Sequence, residues 1–133
     1  MREIVFRGKR VDNGEWIEGG YFDGSRFPMI VPHIRLTDFI NKYTTFDGHE
    51  VVRETVGQST GLKDKNGTTI FEDDIVRYGD SLHKVVFENR SGTAYFGIVI
   101  DSMETWSFGY SVPADQMEIV GNIHDNPKLI QGA

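Results

Sequence analysis

Cysteine is absent from the sequence, which excludes disulfides, thiolate metal sites and cysteine nucleophiles and fits a reducing cytoplasm. Long apolar runs are missing as well, so no stretch approaches membrane-spanning length. The opening "MREIVFRGKR" interrupts its few apolar residues with charges and lacks the continuous apolar region of a secretory signal. The expected location is therefore the cytoplasm. Basic charge is in deficit: 14 Lys and Arg face 20 Asp and Glu, a net charge of -6. Such a molecule repels phosphate backbones as a whole, which disfavours diffuse polybasic nucleic-acid binding.

What the chain does have is glycine, 15 residues in 133, punctuating short β-prone runs at intervals that leave little room for long helices. A chain of this size buries about two-thirds of its unfolded surface and needs no staples. Three turn signals stand out. Asn13-Gly14 predicts a two-residue hairpin loop with Val11 facing Trp16, Arg10 facing Ile17 and Lys9 facing Glu18. Asp47-Gly48 predicts a second hairpin with Phe46 facing His49. Asn66-Gly67 predicts a third, with Lys65 facing Thr68 and Lys63 facing Ile70. Pro28 and Pro32 bracket "MIV" as a short edge strand or extended loop, and Thr37 to Tyr43 suits one helical turn. Beyond "FEDDIVRYG", an acidic turn feeding a strand, the runs "HKVVFEN", "TAYFGIVI", "SFGYSV" and "MEIVGNI" follow at close spacing, with Ser91-Gly92 and "DSMETW" as turns. The tail after Asn126-Pro127 is a brief helix or docked coil anchored by Leu129 and Ile130. This pattern predicts a mostly β fold: an N-terminal hairpin-rich part over about 1-54 and a small closed β-barrel over about 55-133, with at most short helices.

Several constellations invite chemistry. "LKDKNGTTIFED" has the length of a calcium loop with Gly67 at the sixth place, but Leu62 occupies the first ligand position and the flanks are strand-like. Adjacent Asp73 and Asp74 point to opposite faces of a strand, so they do not grip one substrate. His33, His49, His83 and His124 lack the i, i+2 or i, i+4 spacing of a metal pair. No serine lies in Gly-x-Ser-x-Gly, and no phosphate loop is present. No cofactor or metal is expected. The aromatic series Tyr95, Phe96, Trp106, Phe108 and Tyr110 lacks interleaved cations, which favours core packing over nucleic-acid stacking. Arg7, Lys9 and Arg10, with Trp16, form the one basic aromatic surface. An enzyme reading would use Asp64, Asp74 or His124.

Three stretches, "MREIVFRGKRVDNGEWIEGGY", "ETVGQSTGLKDKNGTTIFEDDIV" and "EIVGNIHDNPKLI", together resemble the YopX family of small bacteriophage and prophage proteins. The resemblance implies a β-rich fold of SH3-like barrel character, a phage or prophage origin and a place in the bacterial cytoplasm. It supplies no catalytic residues. Gly57, Gln58, Thr60, Gly61, Leu62, Asp64, Asn66, Gly67 and Asp74 match its central signature, with roles unassigned by the resemblance. Residue chemistry gives reasons for some: Gly67 supplies positive φ, Asn66 tolerates it, and Asp64 suits turn amides. One departure is Asp73, where the family pattern has a small residue, usually Gly. The expected function is a non-catalytic module acting through protein contacts with a phage or host partner, with self-association open. The alternatives are a nucleic-acid factor using the basic hairpin and a small hydrolase using Asp64, Asp74 or His124.

Overall fold

A computed structural model describes residues 4–23, 27–32, 48–90, 93–101, 104–108 and 112–130. Its strands are β1 Phe6–Lys9, β2 Trp16–Asp23, β3 Pro28–Val31, β4 His49–Glu50, β5 Gly57–Lys63, β6 Thr69–Phe71, β7 Asp74–Tyr78, β8 Ser81–Arg90, β9 Thr93–Asp101, β10 Glu104–Ser107 and β11 Glu118–Asn122. Among the described residues the only helical elements are single 3-10 turns at Arg53–Thr55, Ala114–Gln116 and Pro127–Leu129. The fold is mostly β, as the glycine spacing predicts. The helical turn expected at Thr37 to Tyr43, the Phe46 arm of the second hairpin and the Ser91-Gly92 turn lie outside the described residues. The chain divides inside β5, between Gln58 and Ser59, into two compact units, where the sequence suggested a division near Thr55.

In the first unit β1 pairs β2 with Lys9 opposite Trp16 and Arg7 opposite Glu18. The expected register, Lys9 on Glu18 and Val11 on Trp16, is displaced by two residues. A two-residue turn of the expected type needs positive φ at both central residues, and of this pair only Gly14 has it, at φ 72°. The loop instead has four residues: the Arg10 N–H donates to Glu15 O and the Gly14 N–H to Arg10 O, each at 2.9 Å. Strand β3 is flanked by both β2 and β4, so it is an inner strand and not the edge that its prolines suggested. Pro28, lacking an N–H, stands at its first position, where that loss is tolerated. Among the described residues of this unit, Ile30, Val31 and Val51 are buried hydrophobics.

In the second unit β5 and β6 form the Asn66-Gly67 hairpin, with Lys63 opposite Thr69 in place of the expected Ile70. The loop has three residues, because the Asp64 N–H donates to Thr68 O at 2.9 Å and the Gly67 N–H to Asp64 O at 3.0 Å. Gly67 sits at φ 82°, the left-handed position that such a loop requires. The one-residue shift leaves exposed Lys63 off the row of Ile70, which is fully buried.

The remaining strands form an antiparallel sheet in the order β10-β9-β8-β7-β11. Its core contains Ile70, Val76, Val85, Ile98, Val112, Ala114 and Met117, with Tyr78, Ile100, Phe108 and Ile119 packed against them. Among the described residues neither antiparallel sheet closes into a barrel, which corrects the closed-barrel expectation. Closure needs a continuous ladder, and no ladder joins β10 to β11 among the described residues. Side chains meet β11 instead: the Ile119 N–H donates to Asp64 Oδ2 at 3.0 Å and the Asn122 N–H to Asn126 Oδ1 at 3.2 Å. Of the expected turn "DSMETW", Asp101 pairs with Glu104 and Glu104–Ser107 is already strand; of the expected strand "SFGYSV", Phe108 bridges Val112 and the three residues between them lie outside the described residues.

Candidate functional site

The central signature is built as an interlocked set of backbone supports. Gly57 and Gln58 lie in the β1–β5 ladder opposite Arg7 and Phe6. Between Ser59 and Lys63 the β5–β6 register shifts, and Gly61 takes φ 81° there, as a bulge with one residue in the left-handed region requires. The Thr60 hydroxyl fills the opened ladder: it donates to Ile70 O at 2.8 Å and accepts the Leu62 N–H at 3.1 Å. Leu62 itself is exposed.

Asp64, only 5% exposed, accepts three amides. The N–H groups of Asn66 and Thr68 donate to Oδ1, each at 2.9 Å, and that of Ile119 to Oδ2 at 3.0 Å. Burial pushes this carboxyl up, but the amides of Ile119, Thr68 and Asn66, with the charge of Lys65, outweigh it and hold the group below the usual aspartate range. Asp74 is also buried and accepts the Phe71 N–H at 2.7 Å, closing the turn before β7. Both carboxylates that an enzyme reading would use thus accept backbone N–H groups.

His124 pairs with Asp73, at 3.1 Å, and Lys84 Nζ lies 3.9 Å from the other Asp73 oxygen. Asp73 is the only described non-glycine residue with positive φ, 74°, which is the physical reason a small residue suits this position. The Asp73–His124 contact spans 51 positions, so no local spacing could reveal it. A second missed pair is Ser81 and His83, with Oγ 2.8 Å from Nε2. Its signal was the i, i+2 alternation on a strand, which places both side chains on one face.

On the first hairpin, Arg7 and Lys9 lie over the Trp16 ring at 4.8 and 5.6 Å from its centroid, within cation–π range. Arg10 turns away to a two-bond pair with Asp12, at 3.0 and 2.7 Å. Those hydrogen bonds hold the Asp12 carboxyl below its ordinary range.

The aromatic series divides. Residues directly opposite in a ladder share a face, so Trp106 joins the row of Val85 and Ile98, and Phe87 stands opposite Phe96. Phe87 and Phe96 pack with ring centroids 4.8 Å apart, yet Phe87 is 48% exposed and Trp106 38%. The Trp106 indole N–H donates to Glu104 at 2.6 Å. Phe108 packs on the core as expected, while Tyr110 lies outside the described residues.

Among the described residues no helix is long and apolar enough to cross a membrane, and no group of three potential ligand side chains could hold a metal ion. Two antiparallel sheets with their signature residues committed to turns and bulges define a small all-β protein. The chain belongs to the YopX protein family, whose sequence profile matches residues 5–131. No curated protein shows significant similarity to it.

Proposed function

We propose that this YopX protein is a phage or prophage accessory factor, working in the bacterial cytoplasm, that acts by holding a phage or host protein. The observation that carries this reading is the apolar face of β8, β9 and β10, which continues past the buried Val85–Ile98 row into exposed Phe87 and Trp106. Large aromatic rings left in water at the end of a sheet face are the usual anchors of protein interfaces. The signature loop supports the same division of labour, since Asp64, Thr60 and Asp74 spend their polar groups on backbone. A hydrolase centred on Asp64, Asp74 and His124 is correspondingly disfavoured.

A tagged pull-down from the phage-bearing host, with and without nuclease, tests the reading. A protein partner retained after nuclease, and lost from a Phe87→Ser, Trp106→Ser variant, is the expected result. Retention by that variant would refute the placement.

The second reading is nucleic-acid contact through the first hairpin, favoured by the two cations stacked over Trp16. It requires binding that weakens steeply with salt and that Arg7→Gln, Lys9→Gln abolishes. An unchanged signal in that variant removes it.

A further inference from the structure

We infer that Ser81 is a nucleophile with His83 as its general base, forming a site for esters with an apolar acyl chain. The inference goes beyond the contact reading and stands whether or not that reading survives. The β8–β9 ladder begins only at Val85↔Ile98. Ahead of it the segment from Ser81 to Lys84, Val99 and Ile100 of β9, and the tail residues Leu129 and Ile130 line a groove of about 490 Å³. That is the size of a small-molecule site.

His83 stands in this groove. Its Nδ1 lies 2.9 Å from Val99 O, and a carbonyl oxygen only accepts, so Nδ1 carries the proton. In the neutral ring Nε2 then presents its lone pair to Ser81 Oγ at 2.8 Å, and the hydroxyl donates to it. Tyr78 O, at 3.3 Å, is the longer alternative acceptor. Nucleophile, base and a group orienting the base are thereby arranged in series. His83 fills the place of a missing ladder bond at Val99 O, and the i, i+2 spacing on β8 brings the Ser81 hydroxyl to its other nitrogen. Ser81 is exposed, so a carbonyl can reach it.

The walls set the substrate class. Leu82, Val99, Ile100, Leu129 and Ile130 offer an acyl chain apolar contact, whereas Lys84, the cation lining the groove, is drawn toward Asp73. In the reaction Ser81 Oγ attacks the ester carbonyl carbon while its proton passes to His83 Nε2. The tetrahedral adduct collapses, the ester C–O bond breaks, and the leaving alkoxide takes that proton and departs as the alcohol. Water, deprotonated by His83, then cleaves the acyl-serine, releasing the carboxylic acid and restoring Ser81.

The test is labelling of the intact chain with a fluorophosphonate, the adduct located by peptide mass mapping, together with release of p-nitrophenol from its acetate and octanoate esters. A single adduct on Ser81 is expected, with octanoate turned over faster than acetate. Both signals should vanish in Ser81→Ala and fall by about a hundredfold or more in His83→Gln, which keeps a donor for Val99 O but has no base. The wild-type chain in urea supplies the same contrast without a substitution, since labelling must disappear with the fold. Absence of a Ser81 adduct, equal labelling of the His83→Gln chain, or equal labelling in urea overturns the proposal.

Discussion

Asp64 is the residue whose removal most directly tests the scaffold reading of the central signature. Its carboxylate accepts the N–H groups of Asn66, Thr68 and Ile119 at 5% exposure. In Asp64→Asn the remaining oxygen can keep Asn66 and Thr68, but the new NH₂ faces the Ile119 N–H, donor against donor. Hydrogen bonds to a charged acceptor contribute about 1.5–3 kcal/mol each, and a buried donor left unmet costs a similar amount. Asn66 and Thr68 are exposed and recover water, whereas Ile119 is half-buried. Asp64→Asn should therefore cost about 2 kcal/mol, and Asp64→Ala, which also frees the hairpin tip, about 3 kcal/mol. Urea unfolding at neutral pH, followed by far-ultraviolet circular dichroism, measures both. The sign with pH is fixed by the depressed folded value. The stabilisation is complete above the unfolded aspartate range, about pH 4, and is lost as pH falls through the folded value, so the Asn deficit should shrink in acid. An Asn variant within about 0.5 kcal/mol of wild type, with no change in the gap on acidification, would refute the reasoning.

Two further substitutions probe backbone geometry. At Asp73, φ 74° favours glycine over alanine by about 1 kcal/mol, while both variants lose the His124 contact; Asp73→Gly should be more stable than Asp73→Ala in thermal melts, and equal midpoints would contradict the strain argument. A Cβ on Gly19 would collide with Val31 O and lie 2.8 Å from Pro32 Cα, forcing β2 and β3 apart. Gly19→Ala should therefore cost about 1–3 kcal/mol, and an unchanged urea midpoint would contradict it.

The sequence carried the mostly β fold class and the positions of the Asn13-Gly14 and Asn66-Gly67 turns, but not their loop lengths. Asn-Gly marks where the chain reverses, yet the closing pairs are chosen elsewhere: by Arg10 bonding both Glu15 and Gly14, and by Asp64 bonding both Thr68 and Gly67. Each choice moved the register away from a two-residue loop. Closely spaced strands suggested barrel closure, but spacing does not reveal that side chains of Asp64 and Asn126 meet β11. The departure at Asp73 was visible as an unusual residue, while its left-handed backbone and its pairing with His124 required the folded chain. Ser81 and His83 were legible only as an alternation, because their significance depends on Val99 and a groove assembled from β8, β9 and the tail.

The central claim, that the protein works by contact through the β8–β10 aromatic face, is tested most directly by quantitative capture of partners from nuclease-treated host lysate. Wild type, Phe87→Ser/Trp106→Ser and Arg7→Gln/Lys9→Gln chains, matched for thermal midpoint, would be compared. The account predicts a partner protein held by wild type and the Arg7/Lys9 variant and lost from the Phe87/Trp106 variant; loss only from the Arg7/Lys9 variant would contradict it.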